Sequence, residues 1–171
     1  MSTGQKKKAP ESGRSETPAA RNKVLQAGKY ELKNLKFLGD FMTALRLTTT
    51  TAAQKAGLTQ VSVYYWLKKD DAHLSSVERL INAWGYDLSF DLIYPEEDSI
   101  VSIELANPKR LSFLEKAIAD VDRAELQKKI GVGTTTVYYW LSHDDIFISY
   151  IFKIADALGK KVKVTIRPKN D

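Results

Sequence analysis

A mostly α protein with short β strands, made of two tandem copies of one helical unit that each run on into a strand, is the fold class this sequence predicts. Three observations predict it. The run Val63-Tyr64-Tyr65-Trp66-Leu67 returns as Val137-Tyr138-Tyr139-Trp140-Leu141, at an offset of 74 residues. Apolar residues around both runs recur at the three-and-four spacing of a helix with one buried face. Beyond a glycine near the end of each copy, Gly85 and Gly159, the apolar period falls to two, the period of a half-buried strand.

The offset carries outward without a gap, aligning residues 48–92 with 122–166, and 12 of those 45 positions are identical. They include Lys55/Lys129, Gly57/Gly131, Asp70/Asp144, Asp71/Asp145, Ser75/Ser149 and Ala83/Ala157. An ordered set of this kind exceeds what one chance pentapeptide produces. The chain therefore divides into a flexible basic arm over residues 1–30, a first copy over 31–106 and a second over 107–171. The arm is rich in Lys, Ser, Pro, Gly and Ala and has no apolar periodicity. Asn107-Pro108-Lys109-Arg110 punctuates the chain before the second copy.

Each copy reads as four helices and a strand. In the second, Leu111, Leu114, Ile118 and Val121 keep helical spacing. Asp122 then stands as an N-cap, with Glu125 three residues on completing a capping box. Leu126, Ile130 and Val132 face inward from that second helix, and Gly131 ends it in a left-handed turn. A third helix is expected from Thr134 to Leu141, and a fourth from Ser149 to Gly159. In the first copy Ser75 and Glu78 have the spacing of a capping box and Gly85 closes the helix. The strands follow at Leu88, Phe90 and Leu92, and at Val162, Val164 and Ile166. A further strand, Ile100 to Leu105, is expected to fold back over Pro95-Glu96-Glu97-Asp98.

Charge along the two strands argues for pairing unlike with unlike. Set antiparallel about Phe90 and Val164, they bring Asp91 opposite Lys163 and Asp87 opposite Arg167. Self-pairing of the first strand brings Asp against Asp, and opposite charges across a ladder gain about 0.2–1 kcal/mol that like charges lose. The same complementarity suits either a monomeric pseudo-dimer or a strand-exchanged homodimer.

Composition narrows the function. With 171 residues, no cysteine and two histidines, the chain offers no disulfide, no thiolate metal site and few metal ligands. No metal and no cofactor is expected. No apolar run approaches membrane-spanning length, and no apolar segment follows the basic N-terminus, so neither a membrane partner nor a secretory signal is expected. Gly-rich phosphate loops and nucleophile–base sets are missing too, which argues against an enzyme. The net charge of +5 is unevenly spread: +4 over residues 1–31, −3 over 32–106 and +4 over 107–171. Basic ends around an acidic middle are compatible with nucleic acid without requiring it.

A short helix, a glycine turn and a second short helix ending in Val-x-x-Trp-Leu resemble the helix-turn-helix. More narrowly, each copy is similar to the lambda-repressor and Cro-like (XRE-type) family of DNA-binding regulators. Ala52, Ala53, Ala56, Gly57, Leu58, Val63 and Trp66 carry the resemblance in the first copy. Leu126, Ile130, Gly131, Val132, Val137 and Trp140 carry it in the second, over roughly residues 35–92 and 110–166 in all. Copy two departs at Gln127, where the pattern has a small residue at the helix contact.

The resemblance implies that the third helix of each copy enters the major groove of double-stranded DNA. The positions matching base-edge contacts are Thr59, Gln60, Val61, Tyr64 and Tyr65, and in the second copy Gly133, Thr134, Thr135, Tyr138 and Tyr139. Gln60 suits adenine, and Val61 or the Thr methyls suit thymine. Lys55, Lys68, Lys69, Arg123, Lys128 and Lys129 match phosphate contacts, and neither reading helix supplies an arginine for guanine. The implied function is a cytoplasmic, nucleoid-associated repressor-like transcriptional regulator reading two unlike half-sites. The other reading is an antitoxin-type or adaptor module that uses the scaffold on a protein partner, a toxin or co-regulator. Trp66 and Trp140 are expected to pack, and the Asp70-Asp71 and Asp144-Asp145 pairs to serve structure by favouring a helix start. The paired tyrosines suit either DNA contact or a structural ring with its hydroxyl in solvent.

Overall fold

The computed structural model describes residues 30–97 and 109–170. Two copies of one element order follow each other. The first comprises α1 (Lys36–Ala44), α2 (Thr49–Lys55), α3 (Gln60–Lys69), α4 (Leu74–Ala83) and β1 (Tyr86–Ile93), followed by a 3-10 turn at Pro95–Glu97. The second comprises α5 (Ser112–Ile118), α6 (Arg123–Ile130), α7 (Thr136–His143), α8 (Ile148–Ala157) and β2 (Lys161–Pro168). Among the described residues the protein is thus mostly helical, with one small two-stranded antiparallel sheet. The arm over 1–29 and the expected strand from Ile100 to Leu105 lie outside the described residues.

Local chemistry sets the helix boundaries. Asp122 caps α6, its carboxylate accepting from the Ala124 and Glu125 N–H groups. The Glu125 carboxylate lies 3.8 Å from the Lys129 ammonium, so only half of the expected capping box forms. The full box occurs in the first copy instead, where Thr48 and Thr51 exchange side-chain bonds at the start of α2. Gly131 closes α6 at φ 76°, in the left-handed region where a side chain is strained. The last helix of the second copy begins at Ile148, one residue before Ser149, and α7 runs Thr136–His143 rather than Thr134 to Leu141.

The copies share one core. Leu35, Leu38, Met42, Val63, Leu67 and Ile81 are buried in the same cluster as Leu111, Leu114, Leu126, Ile146, Ile148 and Ile151. Burying each such side chain gains about 1.5–3 kcal/mol. β1 pairs with β2 so that Phe90 faces Val164, Asp91 faces Lys163 and Asp87 faces Arg167. Phe37 from α1 and Phe113 from α5 both pack on Phe90, with ring centroids 5.4 and 5.9 Å away.

A local two-fold axis follows from these partners. Phe90 and Val164 occupy equivalent positions in the repeat and face each other. So do His73 and Phe147, which form an isolated antiparallel bridge and stack at 3.9 Å. On either side of that bridge the Leu74 N–H donates to the Ile146 carbonyl and the Ile148 N–H to the Ala72 carbonyl, both at 2.9 Å. Each bond maps onto the other by the offset of 74, as across an isologous interface.

The Asp-Asp pairs lock this arrangement. Asp71 accepts from the Ser149 N–H and hydroxyl at 2.9 and 2.7 Å, and Asp145 accepts reciprocally from the Ser75 N–H and hydroxyl. Each carboxylate therefore satisfies an N-terminal donor of the other copy's fourth helix. The expected Ser75–Glu78 box does not form. Ser75 is taken by Asp145, Glu78 is taken by Arg110 at 3.2 Å, and α4 begins after His73. Asp70 and Asp144 act within their own copies. Each ends the third helix in the left-handed region, at φ 56° and 52°, against the usual preference for glycine there. Their carboxylates accept from the backbone N–H groups leading into the first helix: Lys33, Asn34 and Leu35 in one copy, Arg110 and Leu111 in the other.

Candidate nucleic-acid interface

α3 and α7 carry the residues that sequence matches to base contacts, and their two N-termini are built differently. Thr59 caps α3: its hydroxyl accepts from the Ser62 N–H. Gln60, the first helical residue, donates from Nε2 to the Thr49 hydroxyl at 3.3 Å, tying α3 to α2. Val61 and Tyr65 are both 47% exposed.

In the second copy Gly133 replaces Thr59 and has no oxygen to cap with. Gln127 replaces Ala53, is 5% exposed, and donates from Nε2 to the Thr134 carbonyl. That carbonyl is one the first turn of a longer helix would use. The regular helix therefore starts two residues later than in copy one, and Thr134 and Thr135 stand exposed in the turn. The buried Gln127 nitrogen thus has an acceptor, which helps a larger polar residue to be tolerated at a contact where the pattern has a small one.

The tyrosines divide. Tyr138 and Tyr139 are 62% and 60% exposed, and Tyr65 is half exposed. Tyr64 is not presented as expected: it is 7% exposed, meets the Tyr65 ring edge-on and lies beneath the Lys68 ammonium. A buried ring cannot reach a base edge, so Tyr64 leaves the set of surface contacts. The tryptophans divide in the opposite sense. Trp140 is buried, as expected of a packing residue, with Tyr150 against it at 4.9 Å. Trp66 is only half buried, because Ser76 stands where copy two has Tyr150. A recess of about 350 Å³ results, lined by Trp66, Tyr65, Val61, Lys69 and, across the two-fold, Phe147.

The lysines expected at phosphates are exposed, Arg123 is half-buried, and most of these cations lie over aromatic rings. Lys55 lies 4.4 Å from the Trp84 ring, Lys69 5.7 Å from Tyr65, and the Arg123 guanidinium 4.8 Å from Tyr138. Lys128 and Lys129 are exposed on α6, Lys129 beside Glu125. Sequence reasoning missed His143, which stacks on Tyr139 at 3.9 Å while its Nδ1 lies 2.9 Å from the Tyr139 carbonyl. The four-residue spacing of the two rings on one helix was the available signal. Among the described residues no helix is long and apolar enough to cross a membrane. No family model, curated protein or solved structure gives a significant match to the chain.

Proposed function

We propose that the protein is a sequence-specific double-stranded DNA-binding regulator of repressor type. Its two copies act as tandem helix-turn-helix units, and α3 and α7 serve as the reading helices. One observation carries the reading: the two copies are related by a local two-fold axis through Phe90/Val164 and His73/Phe147. A two-fold sets equivalent surfaces on opposite sides of its axis facing the same end of it, the arrangement with which helix-turn-helix dimers meet two half-sites about 34 Å apart. Here one chain supplies both halves. The exposed tips differ, Thr59-Gln60-Val61 against Gly133-Thr134-Thr135, so the half-sites are unlike. Exposed lysines beside these helices supply phosphate contacts, which position the protein without specifying sequence. On this reading the protein is a non-enzymatic, cytoplasmic component of the nucleoid.

Selection from a random duplex library at two salt concentrations tests the proposal. The expected result is one motif with two unlike halves about one turn apart, with affinity falling steeply as salt rises. Absence of both enrichment and salt-dependent binding overturns it. The antitoxin-type or adaptor reading then takes its place, favoured by the −3 charge of residues 32–106, and a search for a protein partner follows.

A further inference from the structure

We infer that Arg123, held on the face of Tyr138, is the guanine-reading side chain of the second copy. The inference rests on the DNA-binding proposal above and deepens it by naming a base. Sequence alone places Arg123 among the phosphate contacts; its geometry suggests a different role. The guanidinium carbon lies 4.8 Å from the centroid of the Tyr138 ring, and that ring is 62% exposed. Tyr138 is the third residue of α7, so the cation sits beside the N-terminal turn of the reading helix. In the helix-turn-helix geometry that turn approaches base edges.

A guanidinium held over a ring is limited in where its fork can point before a base arrives, and its N–H donors stay in its own plane. A preorientated fork is what bidentate donation to guanine O6 and N7 requires. Among the described residues no carboxylate pairs with Arg123, whereas Lys129 on the same helix lies beside Glu125. The tip of the second reading helix needs such a donor. Gly133, Thr134, Thr135 and Thr136 carry no long polar side chain, so the cation must come from the preceding helix.

The first copy has no counterpart. Position 49, equivalent to 123, is a threonine only 4% exposed that accepts from Gln60 Nε2, and position 64, equivalent to 138, is a buried tyrosine. The guanine requirement is therefore confined to one half of the operator, and the other half is read around Gln60, which suits adenine.

The test repeats the library selection with the full chain and with Arg123→Lys, Arg123→Ala, Tyr138→Phe and Tyr138→Ala, after thermal melting shows that each variant folds. Wild type is expected to enrich a guanine in one half-site. Arg123→Lys should lower that guanine preference about tenfold and leave the other half-site unchanged, because lysine keeps the charge and loses the fork. Tyr138→Phe should keep the preference and Tyr138→Ala should lose it. If Arg123→Lys leaves a guanine in place, the inference is overturned. The same holds if Arg123→Ala weakens all sequences equally and cuts the salt slope by about one, the mark of a phosphate contact. Failure of wild type to enrich any motif overturns the DNA-binding proposal itself and this inference with it. Enrichment without an Arg123-dependent guanine overturns this inference alone.

Discussion

The same five residues, Val-Tyr-Tyr-Trp-Leu, occupy equivalent turns of α3 and α7, yet their side chains are used differently. In α3 the first tyrosine is buried and the tryptophan half exposed; in α7 the first tyrosine is exposed and the tryptophan buried. The leucines differ as well, Leu67 being buried and Leu141 only partly so. Nothing within the pentapeptide accounts for this. The neighbours differ: Tyr150 packs on Trp140 where the first copy has Ser76, and Arg123 lies over Tyr138 where the first copy has Thr49 at the equivalent position. A motif fixes backbone shape, while burial and exposure vary with residues 10 to 15 positions away.

Substituting equivalent residues separates the copies. Trp140→Ala should cost about 3–5 kcal/mol, the range for deleting a buried large aromatic, and Trp66→Ala clearly less. Urea unfolding midpoints check this, and equal losses would mean that Trp66 is packed as tightly as its twin. Next in size are the reciprocal caps. Asp145→Ala and Asp71→Ala should each cost about 1–2 kcal/mol, since each leaves an N-terminal helix donor of the opposite copy without its acceptor. The double variant should depart from additivity, because both bonds span one interface. Independent, additive losses would mean that each cap serves its own helix and not the joint.

The strand charges should matter less. Reversing Asp87 and Asp91 together to Lys sets like charges opposite Arg167 and Lys163, and should cost about 1 kcal/mol. Lys163→Asp in that background should recover part of it; unchanged stability and unchanged mass in solution would count against the pairing. The smallest effect is expected at Gly133→Thr, which supplies the cap that Thr59 gives α3. A gain of a few tenths of a kcal/mol, with two more helical residues by amide exchange, is the expected outcome. No gain would assign the late start of α7 to the Gln127–Thr134 bond alone.

Much of the fold was legible from the chain. Alternation at Leu88, Phe90 and Leu92 and at Val162, Val164 and Ile166 announced two strands, and helical spacing with Asp122 and Gly131 announced the helix ends, because these signals are local. Asp71 and Asp145 were legible only as structural residues. Their partners lie 78 and 70 residues away, and a capping pattern read within one copy pointed Ser75 to Glu78 instead. The chain alone shows which two helices match each other across the repeat, and so where the candidate contacts lie in sequence. It does not show which tyrosine faces outward, since Tyr64 and Tyr138 sit in identical local sequence.

The axis running between His73 and Phe147 has a consequence in mass action. Two separate subunits sharing this core, ladder and pair of caps would come apart once diluted below their dissociation constant. Joining the halves in one chain makes that association unimolecular, with the second half held at an effective concentration of about millimolar. Its strength then does not depend on how many copies of the protein a cell holds. Fusion also removes the demand for self-complementarity. Asp71/Asp145 and Ser75/Ser149, which work reciprocally, are the same in both halves, as an isologous joint requires. The strands have diverged into an acidic and a basic partner, a change that two identical subunits meeting strand to strand would have had to refuse.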